Sequence, residues 1–183
     1  MAREVDPLSF EPLKLLSFQA DRRSSSFFNA ALHYLDEENV AAPCLLRVPS
    51  GSATFDDTGI KLPDLAGGQI AANIVPAGGN KALIRVYDEE IVPITADTDT
   101  FTLIVTPAWR WWSLDLDTME ATELADSTSG TGQTIHYEVA GESYVITLAS
   151  DYSTSTIELV VPDAAPVPGL TITGVARFGL VKI

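Results

Sequence analysis

The sequence predicts a mainly β protein: an antiparallel β-sandwich or barrel with an N-terminal extended arm and one short α-helix. Three observations predict it. From Cys44 onward, short runs rich in Val, Ile, Thr and aromatic residues are separated by clusters of Gly, Pro, Asn, Asp and Ser, which is how many short strands are punctuated. The length of 183 residues suits one sizeable core with a small appendage, and a 46% hydrophobic, 20% charged composition is that of a globular chain. Residues 109–117, which hold all three tryptophans, alternate along what reads as one long strand with two useful faces.

Taken in order, the elements fall into three parts. Residues 1–40 are an N-terminal arm and a short helix. Residues 1–23 show no stable period, with Leu13, Leu15 and Phe18 as docking points. Apolar positions 27, 28, 31, 32 and 35 then follow helical spacing behind a serine N-cap, predicting a helix over 26–37. Asp36, Glu37 and Glu38 oppose the macrodipole at its end, so packing must hold it. Residues 41–162 are the β body. Its expected strands are 44–48, 53–55, 59–62, 69–75, 81–87, 91–95, 100–106, 109–117, 134–140, 143–149 and 155–161. Residues 100–106 alternate cleanly, with Phe101, Leu103 and Val105 on one face. Ile135, Tyr137 and Val139 match Tyr144, Ile146 and Leu148 across a turn at 140–143, and Ile157, Leu159 and Val161 extend that meander. Residues 163–183 are a proline-rich linker and a C-terminal strand over 170–182. That strand closes either its own sheet or a neighbour's.

The charge excludes some partners. A net charge of −14, with 11 basic residues and no cluster larger than Arg22-Arg23, is repelled by phosphate backbones, so no nucleic acid is expected. No stretch approaches the ~20 apolar residues of a spanning helix, and residues 1–20 lack the apolar core of a signal peptide, so neither membrane insertion nor export is expected. Cys44 is the sole cysteine. It permits no intrachain disulfide and reads as a small hydrophobe in a strand.

Candidate chemistry centres on residues 109–117. Trp112, Leu114 and Leu116 share one face and suit a core, while Trp109, Trp111, Asp115 and Asp117 share the other. Two indoles beside two carboxylates form a face that can be buried in the chain, covered by another subunit, or stacked on a sugar ring with the carboxylates bonding hydroxyls. These four residues are the candidate binding or interface set, with protein subunits or a glycan as partner. Asp115, Asp117, Glu120 and Glu123 hint at calcium, but the run lacks the glycine and ligand series of a calcium loop and reads as a solvated turn. His33 and His136 have no nucleophile and acid at recognisable spacing, and no Gly-x-Ser-x-Gly elbow occurs. Ser129-Gly130-Thr131-Gly132 lacks the lysine and helix of a phosphate loop and reads as a flexible loop. A glycosidase needs only a carboxylate pair, which keeps a glycan-acting enzyme as the third reading. No catalytic, metal or cofactor residue is assigned.

The acidic β-rich body, the near absence of cysteine, and end segments 1–23 and 162–183 that look unable to bury themselves resemble structural proteins of tailed-bacteriophage particles. Neck, tail, baseplate and capsid-decoration subunits share that character. The resemblance implies a non-catalytic, self-associating virion component made in the host cytoplasm.

Overall fold

A computed structural model describes residues 15–16, 26–48, 53–55 and 59–175. The expected arm of residues 1–14 and 17–25, and the end of the expected C-terminal strand beyond Val175, lie outside them. The chain is mainly β, with three antiparallel sheets and three short helices among the described residues.

The central sheet has the order β4-β5-β6-β7, from Ala71–Gly78, Lys81–Tyr87, Trp109–Asp115 and Glu120–Glu123. Strand β5 reads Ala82-Leu83-Ile84-Arg85-Val86-Tyr87, and all six residues are buried because both of its faces are covered. One face carries Ala82, Ile84, Val86 and Leu114. It packs on Leu45 of β2 (Cys44–Arg47), Ile60 of β3 (Ile60–Lys61) and Leu62 and Leu65 of α2 (Leu62–Leu65). The small sheet on that side has the order β1-β2-β3, with β1 spanning Leu15–Leu16.

The other face is shared. Val75, Leu83 and Trp111 meet Val145 of the second four-stranded sheet and Val160 just past its strand β10. That sheet has the order β11-β10-β9-β8, from Val167–Thr173, Thr154–Leu159, Glu142–Leu148 and Thr134–Val139. At the far end of the same face, Tyr87 and Trp109 lie under α1 (Ser26–Leu35) and α3 (Thr100–Val105), packed with Ala30, Ala31, Leu103 and Ile104. The result is a sandwich of the two larger sheets, with helices closing one end.

The expected meander of β8, β9 and β10 is present, with Ile135 opposite Ile146, Tyr137 opposite Tyr144, Ile157 opposite Ile146 and Leu159 opposite Tyr144. Its first turn is tighter than residues 140–143. Val139 pairs with Glu142, and Ala140 and Gly141 both take positive φ, 57° and 83°, as a two-residue type I′ hairpin requires. Strand β11 pairs with β10 of the same chain.

Several expected elements differ. Residues 100–106 hold a helix, α3. Asp99 caps it by accepting from the Phe101 and Thr102 N–H groups, and Leu103 and Ile104 are its buried residues. Pro107 lies just past its end. Residues 91–95 form no strand: Asp88 accepts from the backbone N–H of Ile91, and its side chain from that of Glu90, which makes a turn. Residues 53–55 are a bend, and only 60–61 of the stretch 59–62 is strand, with Pro63 opening α2. Glu120–Glu123, expected as a solvated turn, is the edge strand β7.

Candidate functional site

Strand β6 runs from the interior to an open rim, and that path decides what its candidate face can do. Its register on β5 sets Trp109 opposite Tyr87, Trp111 opposite Arg85, Ser113 opposite Leu83 and Asp115 opposite Lys81. Trp109 is fully buried, its ring edge-on to Tyr87 at 5.5 Å and its Nε1–H donating to Leu103 O at 2.8 Å. Trp111 is 3% exposed. The exposed pair of indoles needed by a sugar platform is therefore absent from this face, because α3 covers one ring and the second sheet the other. Trp112, expected in the core, is only half-buried, at the margin of the cluster containing Leu114 and Leu116.

The carboxylates of the same face reach the rim. Lys81 Nζ lies 3.1 Å from Asp115 and 3.3 Å from Asp163, and Ser113 Oγ donates to Asp163 at 2.7 Å. Asp115 also accepts from the Thr118 and Asp117 N–H groups. The Thr118 N–H, then Lys81, holds the Asp115 carboxyl below its ordinary value. The Ser113 hydroxyl, then Lys81, does the same for Asp163. These groups line an open cleft of about 500 Å³ with Glu120, Thr122, Glu123 and Leu124. A glycosidase acid must hold its proton near neutrality. Two carboxyls that share one ammonium do the opposite, so this pair suits a structural clamp.

Three of the four acids considered for calcium have other partners. Asp117 accepts from Asn80, Glu123 pairs with Arg110, and Asp115 turns to Lys81. Among the described residues, no three His, Cys, Asp or Glu side chains converge as metal ligands.

Beneath the rim lies a group that pattern reading passed over. Arg85 is 1% exposed, stacks at 4.7 Å on the Trp111 ring, and donates from Nη2 to Thr131 O at 2.6 Å. Burial lowers its pKa to about 9, opposed by the charge of Glu158. Burial raises the Glu158 carboxyl, opposed by a hydrogen bond from Thr147 and by Arg85. The signal was a lone cation inside an apolar strand. The loop expected to be flexible covers this group. Gly130 exchanges backbone bonds with Trp109, Thr131 Oγ1 donates to Leu148 O, and Gly132 N–H donates to Ile104 O. A Cβ at Gly130 would sit 3.1 Å from Arg85 Nη2, so a larger residue there would press on the guanidinium. The space left beside Arg85, Trp111, Thr147 and Glu158 is about 40 Å³, room for a water or two and no substrate.

The remaining candidates have local partners. His33 Nδ1 lies 2.6 Å from Val40 O and fastens the chain leaving α1. His136 is half-buried and points to the central sheet, from the same side of β8 as Thr134, which bonds Asn73 of β4. Cys44 is a half-buried free thiol on β2.

The orientation of His136 exposes an inversion. Val145, Thr147 and Glu158 face the central sheet together with Thr134 and His136, so the polar side of the meander faces inward. Alternation then directs Ile135, Tyr137, Tyr144, Ile146, Leu148, Ile157 and Leu159 outward. Ile146 and Leu148 are buried and the other five half-buried, and none of the seven belongs to the clusters that join the described elements. Compared with known proteins, the chain matches no family model and no curated protein sequence.

Proposed function

We propose that this protein is a non-catalytic structural subunit of a multimeric assembly, and that the assembly is a tailed-phage particle in which it serves as a neck, tail, baseplate or capsid-decoration component. The observation that carries the assembly reading is the outward apolar face of the β8–β11 sheet. A chain built to stand alone puts the apolar side of an antiparallel sheet inward and the polar side in water. Here Thr134, His136, Thr147 and Glu158 face inward, while three isoleucines in a row across β8, β9 and β10 face away from the central sheet, Ile135 and Ile157 half-buried and Ile146 buried. Exposed Phe28, Leu35 and Phe101 on the two helices add apolar surface at the closed end. Interfaces are where such area is covered. The resemblance in composition narrows the assembly to a phage particle.

Light scattering on the purified chain tests the reading. Above about 50 μM we expect a mass that is a multiple of 19.6 kDa. A monomer at that concentration that binds no apolar-surface dye would overturn it, because the outward face would then be covered within one chain. The burial of Trp109 and Trp111 removes the support for a carbohydrate module.

A further inference from the structure

Arg85 sits between the two large sheets with most of its bonding capacity unused. A guanidinium carries five N–H donors in a fixed fork. Among the described residues this one makes a single hydrogen bond, from Nη2 to Thr131 O, and its Nε is buried without a partner. The Trp111 ring takes its flat face, so the edge of the fork is what remains. Glu158 of β10 is near enough to act on Arg85 through its charge, yet no hydrogen bond joins the two. Its Oε2 accepts from Thr147 Oγ1 at 2.6 Å. Buried donors and acceptors left short of each other are rare in native interiors.

Both groups line the same cavity of about 40 Å³, with Trp111, Thr147, Ser129 and Gly130 completing the wall. We propose that this cavity is the binding site of a structural water, which accepts from the Arg85 guanidinium and donates to the Glu158 carboxylate, so that a water-bridged ion pair joins the central sheet to the second. Size, bonding and charge all select that guest. A water needs about 10–15 Å³ of such space and two to four polar partners, and the site offers both while excluding an organic ligand. One wall donates and the other accepts, which suits a molecule able to do both. A halide could only accept and would face Glu158. A small cation would face Arg85. Water meets both walls and carries no charge.

The loop over the site retains the guest. Gly130 is tied to Trp109 by two backbone bonds of 2.9 Å, and Thr131 Oγ1 donates to Leu148 O, so the water leaves only when this loop lifts. The bridge is independent of the assembly reading, and either can fail without the other.

Nuclear magnetic resonance on the full chain with isotope-labelled arginine tests it. The Arg85 guanidinium protons should give a cross-peak to water whose sign differs between the laboratory and rotating frames, the mark of a water held far longer than those at the surface. The cross-peak should persist in Glu158→Gln, which keeps an acceptor, and in Thr147→Val, which removes a lining hydroxyl able to relay the same signal. It should vanish in Glu158→Met. No cross-peak in the wild type, one that survives in Glu158→Met, or one lost in Thr147→Val overturns the bridge. So do Arg85 signals that shift as chloride replaces sulfate at constant ionic strength, because the guest is then an anion. Should Glu158→Met fail to fold, the wild type and Thr147→Val decide the matter.

Discussion

Arg85 is the residue on which the two sheets depend most. It is a buried guanidinium held by the Trp111 ring and the Thr131 carbonyl, with Glu158 nearby. Replacing Arg85 with methionine keeps the volume but strands Thr131 O and the Glu158 carboxyl, and breaking one side of a buried charged set costs about 3–5 kcal/mol. Urea unfolding of Arg85→Met should show a loss of that order. His136 and Glu158 give the sandwich opposing pH responses. Burial holds the His136 imidazole below its ordinary 6.5, so the unfolded chain takes up the proton first. Its contribution is present above pH 6.5 and is lost as pH falls through the folded value. Burial raises Glu158 above its ordinary 4.5. Its contribution is present below 4.5 and is lost as pH rises through the folded value. His136→Gln should therefore flatten the fall in Tm between about pH 7 and 5, a window set by the reference imidazole value of ~6.5. Glu158→Gln should steepen that fall. If both variants track the wild-type profile, neither group titrates in the interior.

At the scale of elements, local chemistry decided where pattern could not. Asp99 accepts two backbone N–H bonds and the Thr102 hydroxyl at the start of α3, so Asp99→Ala should cost about 1 kcal/mol, read from thermal unfolding. Ala140 sits at φ 57° in the first hairpin turn, a position that favours Asn or Gly. Ala140→Asn should stabilise by a few tenths to 1 kcal/mol, and a loss instead would mean the turn is not type I′. The meander was legible because Ile135, Tyr137, Tyr144, Ile146, Ile157 and Leu159 alternate without interruption. Helix α3 was not. Its run Thr-Phe-Thr-Leu-Ile-Val has strand composition and period, and the capping Asp99, the following Pro107 and packing beneath α1 outweighed both. The candidate site was half legible. Alternation grouped Trp109, Trp111 and Asp115 on one side of β6, whereas Asp117, expected with them, lies in the turn that follows the strand. Alternation could not say that this side passes from interior to rim, because that depends on where the second sheet and α3 end. Lys81, Asp163 and Arg85 were missed because their partners are distant in sequence.

Across the whole molecule, described elements pack on both sides of the central sheet, and the outward side of the second sheet, where Ile146 and Leu148 are buried, joins none of the described core clusters. The central sheet lies between the small β1-β2-β3 layer and the second sheet, so its inner strand β5 reads as a nearly continuous apolar run. The second sheet turns its polar side toward the central sheet and its apolar side away from it, the side on which the proposed assembly contact would form. Removing apolar bulk there should separate assembly from folding. Ile157→Thr should lower the oligomer's dissociation temperature more than it lowers the melting temperature of the dilute chain. Equal shifts in the two measurements would return this face to the monomer's own core.

The Lys81 clamp has a mechanical consequence. Strand β11 is joined to β10 through residues 160–166, and its far end is at Thr173. Tension applied there peels β11 off rung by rung, starting at Thr173, and each step breaks only the bonds of one residue pair. Peeling stops at Asp163, where Lys81 and Ser113 anchor the connection to the central sheet. The last strand therefore yields at low force, as a tether with a fixed stop, while the sandwich behind the anchor keeps its shape. Pulling on single molecules should show one small extension before the main rupture, and Lys81→Ala should lengthen that first extension.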